Sequence, residues 1–216
     1  QKLFTRALRD GARPAKGAVV SPADGTVLFS RSIHSSVQVQ AKGLHYHLDE
    51  LVYGRRSESE MAHIGWCNIV YLAPSNYHRV HSPLSGEIKQ VRYFPGQLWS
   101  VSPKMLNFIP NLYSSNERLV FDIECANGEV AYVVMVGALN VARMQCSVPG
   151  SGIDLRHTKD AKNTTFDHLA GTKVEAGQEL GIFMLGSTVV SLFPKDFART
   201  ENMVTLDKHC FVKMGE

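Results

Sequence analysis

The chain has 216 residues, 44% of them hydrophobic, with 23 Lys and Arg against 20 Asp and Glu for a net charge of +3. That length suits one domain, or two small fused halves, with a substantial core. The balanced charge, with no long basic run, excludes a protein built to bind nucleic acid or another polyanion. Cys67, Cys125, Cys146 and Cys210 stand far apart with no CxxC pair, so they read as free thiols of a reducing compartment rather than a zinc ribbon. The longest uncharged apolar stretch, Val130 to Ala142, has 13 residues, short of the roughly 18–20 that span a bilayer. The chain starts at Gln1, not at Met, and an upstream targeting or membrane segment is expected to have been removed or omitted.

In chain order, Leu3, Phe4, Ala7 and Leu8 share one helical face between Gln1 and Arg13, with Lys2, Arg6 and Arg9 largely off it. This predicts a short basic amphipathic helix, ended by Pro14, that either lies on an anionic membrane or docks on the domain. From Ala18 onward the texture is β. Runs rich in Val, Ile and Tyr alternate with Gly and Pro turns at Gly25–Phe29, Ser36–Gln40, Cys67–Leu72, Gly86–Tyr93, Leu119–Ile123 and Val130–Val136. Helical periodicity is confined to Leu44–Tyr53 and Met105–Tyr113, and Pro74–His78 reads as a turn or a short helix. Two polar stretches are expected to be loops. Arg55–Glu60 is short, whereas Pro149–Thr172 is long enough to suggest a mobile lid or insertion.

The sequence also echoes itself. Ser21-Pro22-Ala23-Asp24-Gly25-Thr26-Val27 matches Ser82-Pro83-Leu84-Ser85-Gly86-Glu87-Ile88, and Phe94-Pro95-Gly96-Gln97-Leu98 resembles Glu175-Ala176-Gly177-Gln178-Glu179-Leu180. Pro fixes one torsion of such a turn and Gly supplies another. The fold expected is mainly β: two interlocked halves packed as a sandwich or flattened barrel of hybrid-motif type, with a few short helices.

Chemistry is concentrated in three places. At Leu185-Gly186-Ser187-Thr188 a small step interrupts an apolar run, and the Ser187 hydroxyl adjoins the Gly186 carbonyl. This is either a glycine bulge in a buried strand or a chain able to attack its own backbone. Asp24 occupies the echo position filled by Ser85, so the turn does not itself demand an acid; an Asx turn is the plainer account. In Tyr77-His78-Arg79-Val80-His81 two histidines stand beside the second turn, and histidine is suited to proton transfer near neutral pH. His45 and His47 could add metal ligands, but no HExxH pattern exists and no metal site is expected. His34, His63, His157, His168 and His209 read as surface residues. The order Asp24, His78 or His81, Ser187 would fit a serine hydrolase, yet no G-x-S-x-G surrounds the serine.

These residues bring the chain to a known family. It resembles the phosphatidylserine decarboxylases in Ser21–Gly25, Tyr71–Pro83, Phe94–Val101, Asn116-Glu117-Arg118, Val136-Gly137-Ala138 and Gly181–Val190, in family order from about Gly17. The Pro149–Thr172 loop has no counterpart placed, and the resemblance implies that the chain begins after the family's usual membrane-anchoring N-terminal region.

The resemblance implies a proenzyme that cleaves itself between Gly186 and Ser187, into a β chain 1–186 and an α chain 187–216 headed by a pyruvoyl group made from Ser187. It implies Asp24, His81 and Ser187 as the cleavage triad. The pyruvoyl ketone would then form a Schiff base with phosphatidylserine and act as electron sink while CO2 leaves, giving phosphatidylethanolamine. His78, with His81 as second choice, would return the proton. Tyr71, Tyr77 and Arg79 are candidates for the substrate site. Implied partners are a membrane lipid, the α and β chains of one precursor and a possible homodimer, with no nucleic acid. Peripheral association with a mitochondrial inner or bacterial cytoplasmic membrane is expected, through Leu3, Phe4 and Leu8 or through Phe108 and Ile109. The rival readings are a serine hydrolase on Asp24, His81 and Ser187 that leaves its backbone whole, and a lipoyl-carrier-like binding domain. The second lacks a convincing hairpin lysine, since Lys42 and Lys173 are poorly placed.

Overall fold

Residues 187–194, Ser-Thr-Val-Val-Ser-Leu-Phe-Pro, form a strand in which every residue is buried. Burial of every residue, inward and outward alike, marks a strand covered on both faces. The computed structural model describes residues 6–9, 11–33, 38–41, 44–56, 59–139, 143–184, 187–201, 203, 205–206 and 209–216. In it the strand Ser187–Pro194 lies inside a nine-stranded antiparallel sheet, between Val130–Val136 and Ile64–Leu72. The order continues outward on one side through Arg118–Glu124 and Gly86–Phe94 to Thr164–Thr165. On the other side it runs through Gly25–Ser32 to Phe211–Val212. A second antiparallel sheet runs Asp154–Arg156, Arg143–Cys146, Glu179–Phe183, Arg79–His81. The fold is mainly β as expected, in open sheets rather than a closed barrel among the described strands. No helix of the described residues is long and apolar enough to cross a membrane.

The echoed turns are structural copies. Each serine hydroxyl donates to the carbonyl two residues on, Ser21 Oγ to Ala23 O at 2.9 Å and Ser82 Oγ to Leu84 O at 2.6 Å. The turns also exchange backbone bonds reciprocally: Val20 N donates to Pro83 O and His81 N to Pro22 O, both at 2.8 Å. Each is then closed by a second tetrapeptide. Gly177 N donates to Ser82 O and Ser82 N to Gln178 O, while Gly215 N donates to Ser21 O and Ser21 N to Glu216 O. The short strands Lys173–Val174 and Phe211–Val212 pair in the same register, Val174 with Gly86 and Val212 with Gly25. Both longer strands carry a register shift at the same place, Val27/Phe29 and Ile88/Gln90. The partner of Glu175–Gln178 is therefore Lys213–Glu216, not Phe94–Gln97 as the sequence suggested. Gln97 instead donates to Ser115 O and makes a parallel bridge with Asn116.

Three local expectations are revised. Leu44–Tyr53 splits into a strand, Leu44–His47, and a helix, Leu48–Tyr53, because its first four residues pair with Gln38–Ala41. Pro149–Thr172 is not one structureless loop. It contains Asp154–Arg156, Thr164–Thr165 and a 3-10 turn at Asp167–Leu169, and it buries Ile153 and Leu169. At the N-terminus, residues 6–9 and 11–16 are not helical. There Ala12 N closes a turn onto Arg9 O and the Arg13 side chain is drawn inward to Asp24. Leu3 and Phe4 lie outside the described residues. The helical excursion at Met105–Tyr113 is present as Met105–Asn107 and Leu112–Ser115.

Candidate active site

Asp24 is buried in the first turn, and its Oδ1 accepts from Met214 N at 2.9 Å and from the Arg13 guanidinium. Ser85, in the equivalent place, accepts from Ala176 N at 3.0 Å. The fourth position thus has one duty in both copies, receiving an N–H from the closing tetrapeptide. Asp24 adds a charge to that duty.

His81 leads into the second turn, buried, where the first turn has Val20. Its Nδ1 lies 2.7 Å from Gly177 O and its Nε2 3.1 Å from Tyr77 Oη. A carbonyl only accepts, so Nδ1 carries the proton and Nε2 accepts from the tyrosine hydroxyl. The Tyr77 ring stacks on the imidazole with centroids 5.7 Å apart. Burial pushes the Tyr77 hydroxyl up to about 12, so it remains the donor. Burial also holds His81 below the ordinary histidine value, opposed by the Gly177 carbonyl and, more weakly, by the charges of Glu179 and Asp24. His81 is therefore a neutral base near pH 7.

His78 is fully buried, with Nδ1 2.8 Å from Asn76 O, and burial lowers its pKa as well. Its backbone carbonyl accepts from Phe183 N at 2.9 Å. Four residues beyond Phe183, Ser187 begins its strand opposite Leu72. The chain therefore leaves one sheet beside His78 and enters the other at Ser187. Gly186, on the other side of the expected scissile bond, lies outside the described residues. Ser187 is fully buried and its Oγ has no hydrogen-bond partner among the described residues, a condition shared by Thr188 and Ser191 on the same strand. Leaving a buried hydroxyl unpaired costs about 1–3 kcal/mol.

The structure joins Asp24 and His81 through the His81 N to Pro22 O bond, and places His78 beside the approach to Ser187. It forms no hydrogen bond from His81 to Asp24 or to Ser187; both ring nitrogens are taken by Gly177 and Tyr77. Tyr71 is half-buried, paired with Thr188 and Thr26. Arg79 makes a two-pronged pair with Glu179 at 2.9 and 2.8 Å. A cleft of about 310 Å³ reaches His81 and Tyr77, bounded by Leu8, Arg13, Glu179 and Met214.

A family model described as phosphatidylserine decarboxylase matches residues 1–216. The chain belongs to the phosphatidylserine decarboxylase family. Relatives named phosphatidylserine decarboxylase proenzyme include one from Alcanivorax borkumensis, 40% identical over 200 residues that cover 91% of this chain and 68% of the relative. One from Nitrosococcus oceani is 37% identical over 216 residues, 99% of this chain and 69% of the relative. One from Pseudomonas aeruginosa is 38% identical over 219 residues, 99% of this chain and 74% of the relative. Membership makes the chain a decarboxylase of the phosphatidylserine decarboxylase family, and the relatives are named as proenzymes.

Sequence reasoning missed the partners of these side chains. Arg13 and the backbone atoms of Met214 and Gly177 carry no residue-type signal for their roles. Glu117, fully buried, with a carboxylate oxygen 2.6 Å from His157 Nδ1, was legible only as part of Asn116-Glu117-Arg118. His157, expected at the surface, is exposed, and this bond ties its loop to the large sheet.

Proposed function

We propose that the chain matures by cutting itself between Gly186 and Ser187, and that the pyruvoyl group formed from Ser187 serves decarboxylation of phosphatidylserine to phosphatidylethanolamine. The observation that carries this reading is the buried, unpartnered Ser187 hydroxyl at the head of a central strand. An orphan of that kind suits an atom kept for chemistry, and its conversion to a ketone leaves no donor unsatisfied.

In this reading His81 Nε2 gives up its bond to Tyr77 and takes the proton from Ser187 Oγ, with Asp24 countering the charge that develops. The oxygen attacks the Gly186 carbonyl and the amide becomes an ester. Elimination across the Ser187 Cα–Cβ bond releases a carboxylate at Gly186 and leaves dehydroalanine. Water then converts dehydroalanine to the keto group and frees ammonia. The 187–216 fragment stays seated because Val189, Val190, Leu192 and Phe193 are buried in the sheet, together roughly 6–12 kcal/mol of burial before entropic costs.

The pyruvoyl group supplies an electron sink for the charge left when CO2 departs. The chain's own residues do the rest. His78 returns the proton to the substrate α-carbon. Tyr71, Tyr77 and Arg79 line the headgroup site, where the Arg79–Glu179 pair offers a cation for the phosphate and an anion for the ammonium. The protein is proposed to associate peripherally with a bacterial cytoplasmic or mitochondrial inner membrane, as α and β chains of one precursor.

Intact mass under denaturing conditions tests the reading. Two fragments, 1–186 and 187–216, are expected, the smaller without an ordinary amino terminus and reactive toward borohydride. Ser187→Ala should leave one chain of 23.9 kDa without activity. Lipid-active material with an unbroken backbone would overturn the proposal and favour a hydrolase.

A further inference from the structure

Large apolar side chains stand exposed on two segments tied to the end of the sheet where Ser187 begins. Trp99 is 48%, Leu139 60% and Phe108 75% accessible. Two of them ride on one excursion, residues 98–115, whose ends are tied by Gln97 N to Ser115 O and by Glu117 N to Gln97 O, both at 2.9 Å. Val101, Leu106, Leu112 and Tyr113 anchor its inner side in the core. Trp99 and Phe108 are left facing outward.

One buried side chain joins this excursion to the strand beside Ser187. Asn116, fully buried, accepts from Trp99 N at 3.1 Å, and its Nδ2 donates to Trp99 O and Gly137 O, both at 2.8 Å. Gly137 follows Val136, which pairs with Thr188. Leu139 is three residues beyond Val136, so the extended chain places it within about 10 Å of that pair. Trp99 and Leu139 are thus tied to the strand beside the reacting residue through Asn116 and the Val136–Thr188 pairing, and Phe108 rides on the same excursion as Trp99.

Charge selects the occupant. From Phe94 to Asn116 there is no Asp or Glu, and the one charged residue, Lys104, is exposed. An apolar rim with a tryptophan, without acids and with a lysine, matches the boundary between acyl chains and anionic headgroups.

We propose that Trp99, Phe108 and Leu139 form the surface that seats the enzyme on the bilayer, bringing the Ser187 end of the sheet to the headgroup layer. This rests on phosphatidylserine being the substrate.

The test uses the chain of residues 1–216 and vesicles of phosphatidylcholine with phosphatidylserine. The sequence has two tryptophans, and Trp66 is buried at 6%, so a change in emission on vesicle addition reports Trp99. A blue shift, and quenching by lipids brominated near the headgroup end of the acyl chains, is expected. Phe108→Asp with Leu139→Asp should cut turnover of vesicle phosphatidylserine by at least about tenfold, while self-cleavage and turnover of a monomeric short-chain phosphatidylserine stay at parental rates. Unchanged Trp99 emission, or parental turnover on vesicles by the double variant, would overturn the proposal. So would a concentration-dependent dimer lost in the double variant with vesicle turnover intact, since a second copy would then cover the patch. If no phosphatidylserine of any chain length is turned over, the functional reading fails instead, and the fluorescence result still stands on its own.

Discussion

The turn at Ser21–Gly25 and the turn at Ser82–Gly86 share a backbone and differ in cargo. Each serine makes the same local bond, each fourth residue receives an N–H from a closing tetrapeptide, and the two exchange reciprocal bonds. Against that common frame the first turn places an acid where the second has Ser85, and the second places a histidine where the first has Val20. The acid and base proposed for self-cleavage therefore come one from each half. They are brought near each other because the two turns are bonded to each other. Symmetry supplies the position, and departure from symmetry supplies the chemistry.

Making the halves alike gives the largest expected effect. Asp24→Ser keeps an acceptor for Met214 N while removing the charge, and should slow self-cleavage by roughly 10²–10⁴-fold, read as the fraction of uncut chain over time. Ser85→Asp should leave that rate within about twofold. Equal effects from the two substitutions would show that the turn, not the charge, matters.

A smaller effect is expected from the closing tetrapeptides. Gly177 and Gly215 both have left-handed backbones, φ +82° and +89°. Alanine in that region costs about 1–2 kcal/mol. The Cβ at Gly215 would also come within 3.1 Å of the Pro14 carbonyl, whereas at Gly177 the nearest atom is the Ala15 side chain at 3.4 Å. Gly215→Ala should therefore lower the melting temperature more than Gly177→Ala. It should also slow cleavage by loosening Met214 N from Asp24.

The smallest effect is a shift in pH profile. The base must be neutral, and burial holds His81 below its ordinary value. Cleavage should stay level as pH falls past about 6.5 and decline only below that. Tyr77→Phe removes a donor that favours the neutral ring, so His81 should be protonated more readily. The acid limb should then move to higher pH, with little change in the plateau.

The long strands were legible because β-branched runs bounded by Gly and Pro leave few alternatives. The first echoed turn was legible through Ser-Pro and Gly. Its closing partner was not, because Lys213-Met214-Gly215-Glu216 and Glu175-Ala176-Gly177-Gln178 share little beyond one glycine, and their likeness lies in main-chain bonds. The Leu44–Tyr53 periodicity misled because strand pairing with Gln38–Ala41 outweighs a shared helical face over its first turn. Thr164–Thr165 and Lys173–Val174 are too short to show any period at all. At the site, residue chemistry singled out Asp24, His78, His81 and Ser187. The engagement of Arg79 by Glu179 across paired strands could not be read from sequence order.

The interior position of the strand Ser187–Pro194 has a further consequence if the chain is cut as proposed. A slat from the middle of the large sheet then belongs to a separate polypeptide, hydrogen-bonded on both edges to the other. Melting such a protein releases two molecules rather than one, and recovery requires them to find each other again with no hydroxyl left to repeat the cut. Maturation would therefore act as a ratchet, with the architecture assembled once, as a single chain, and afterwards only kept.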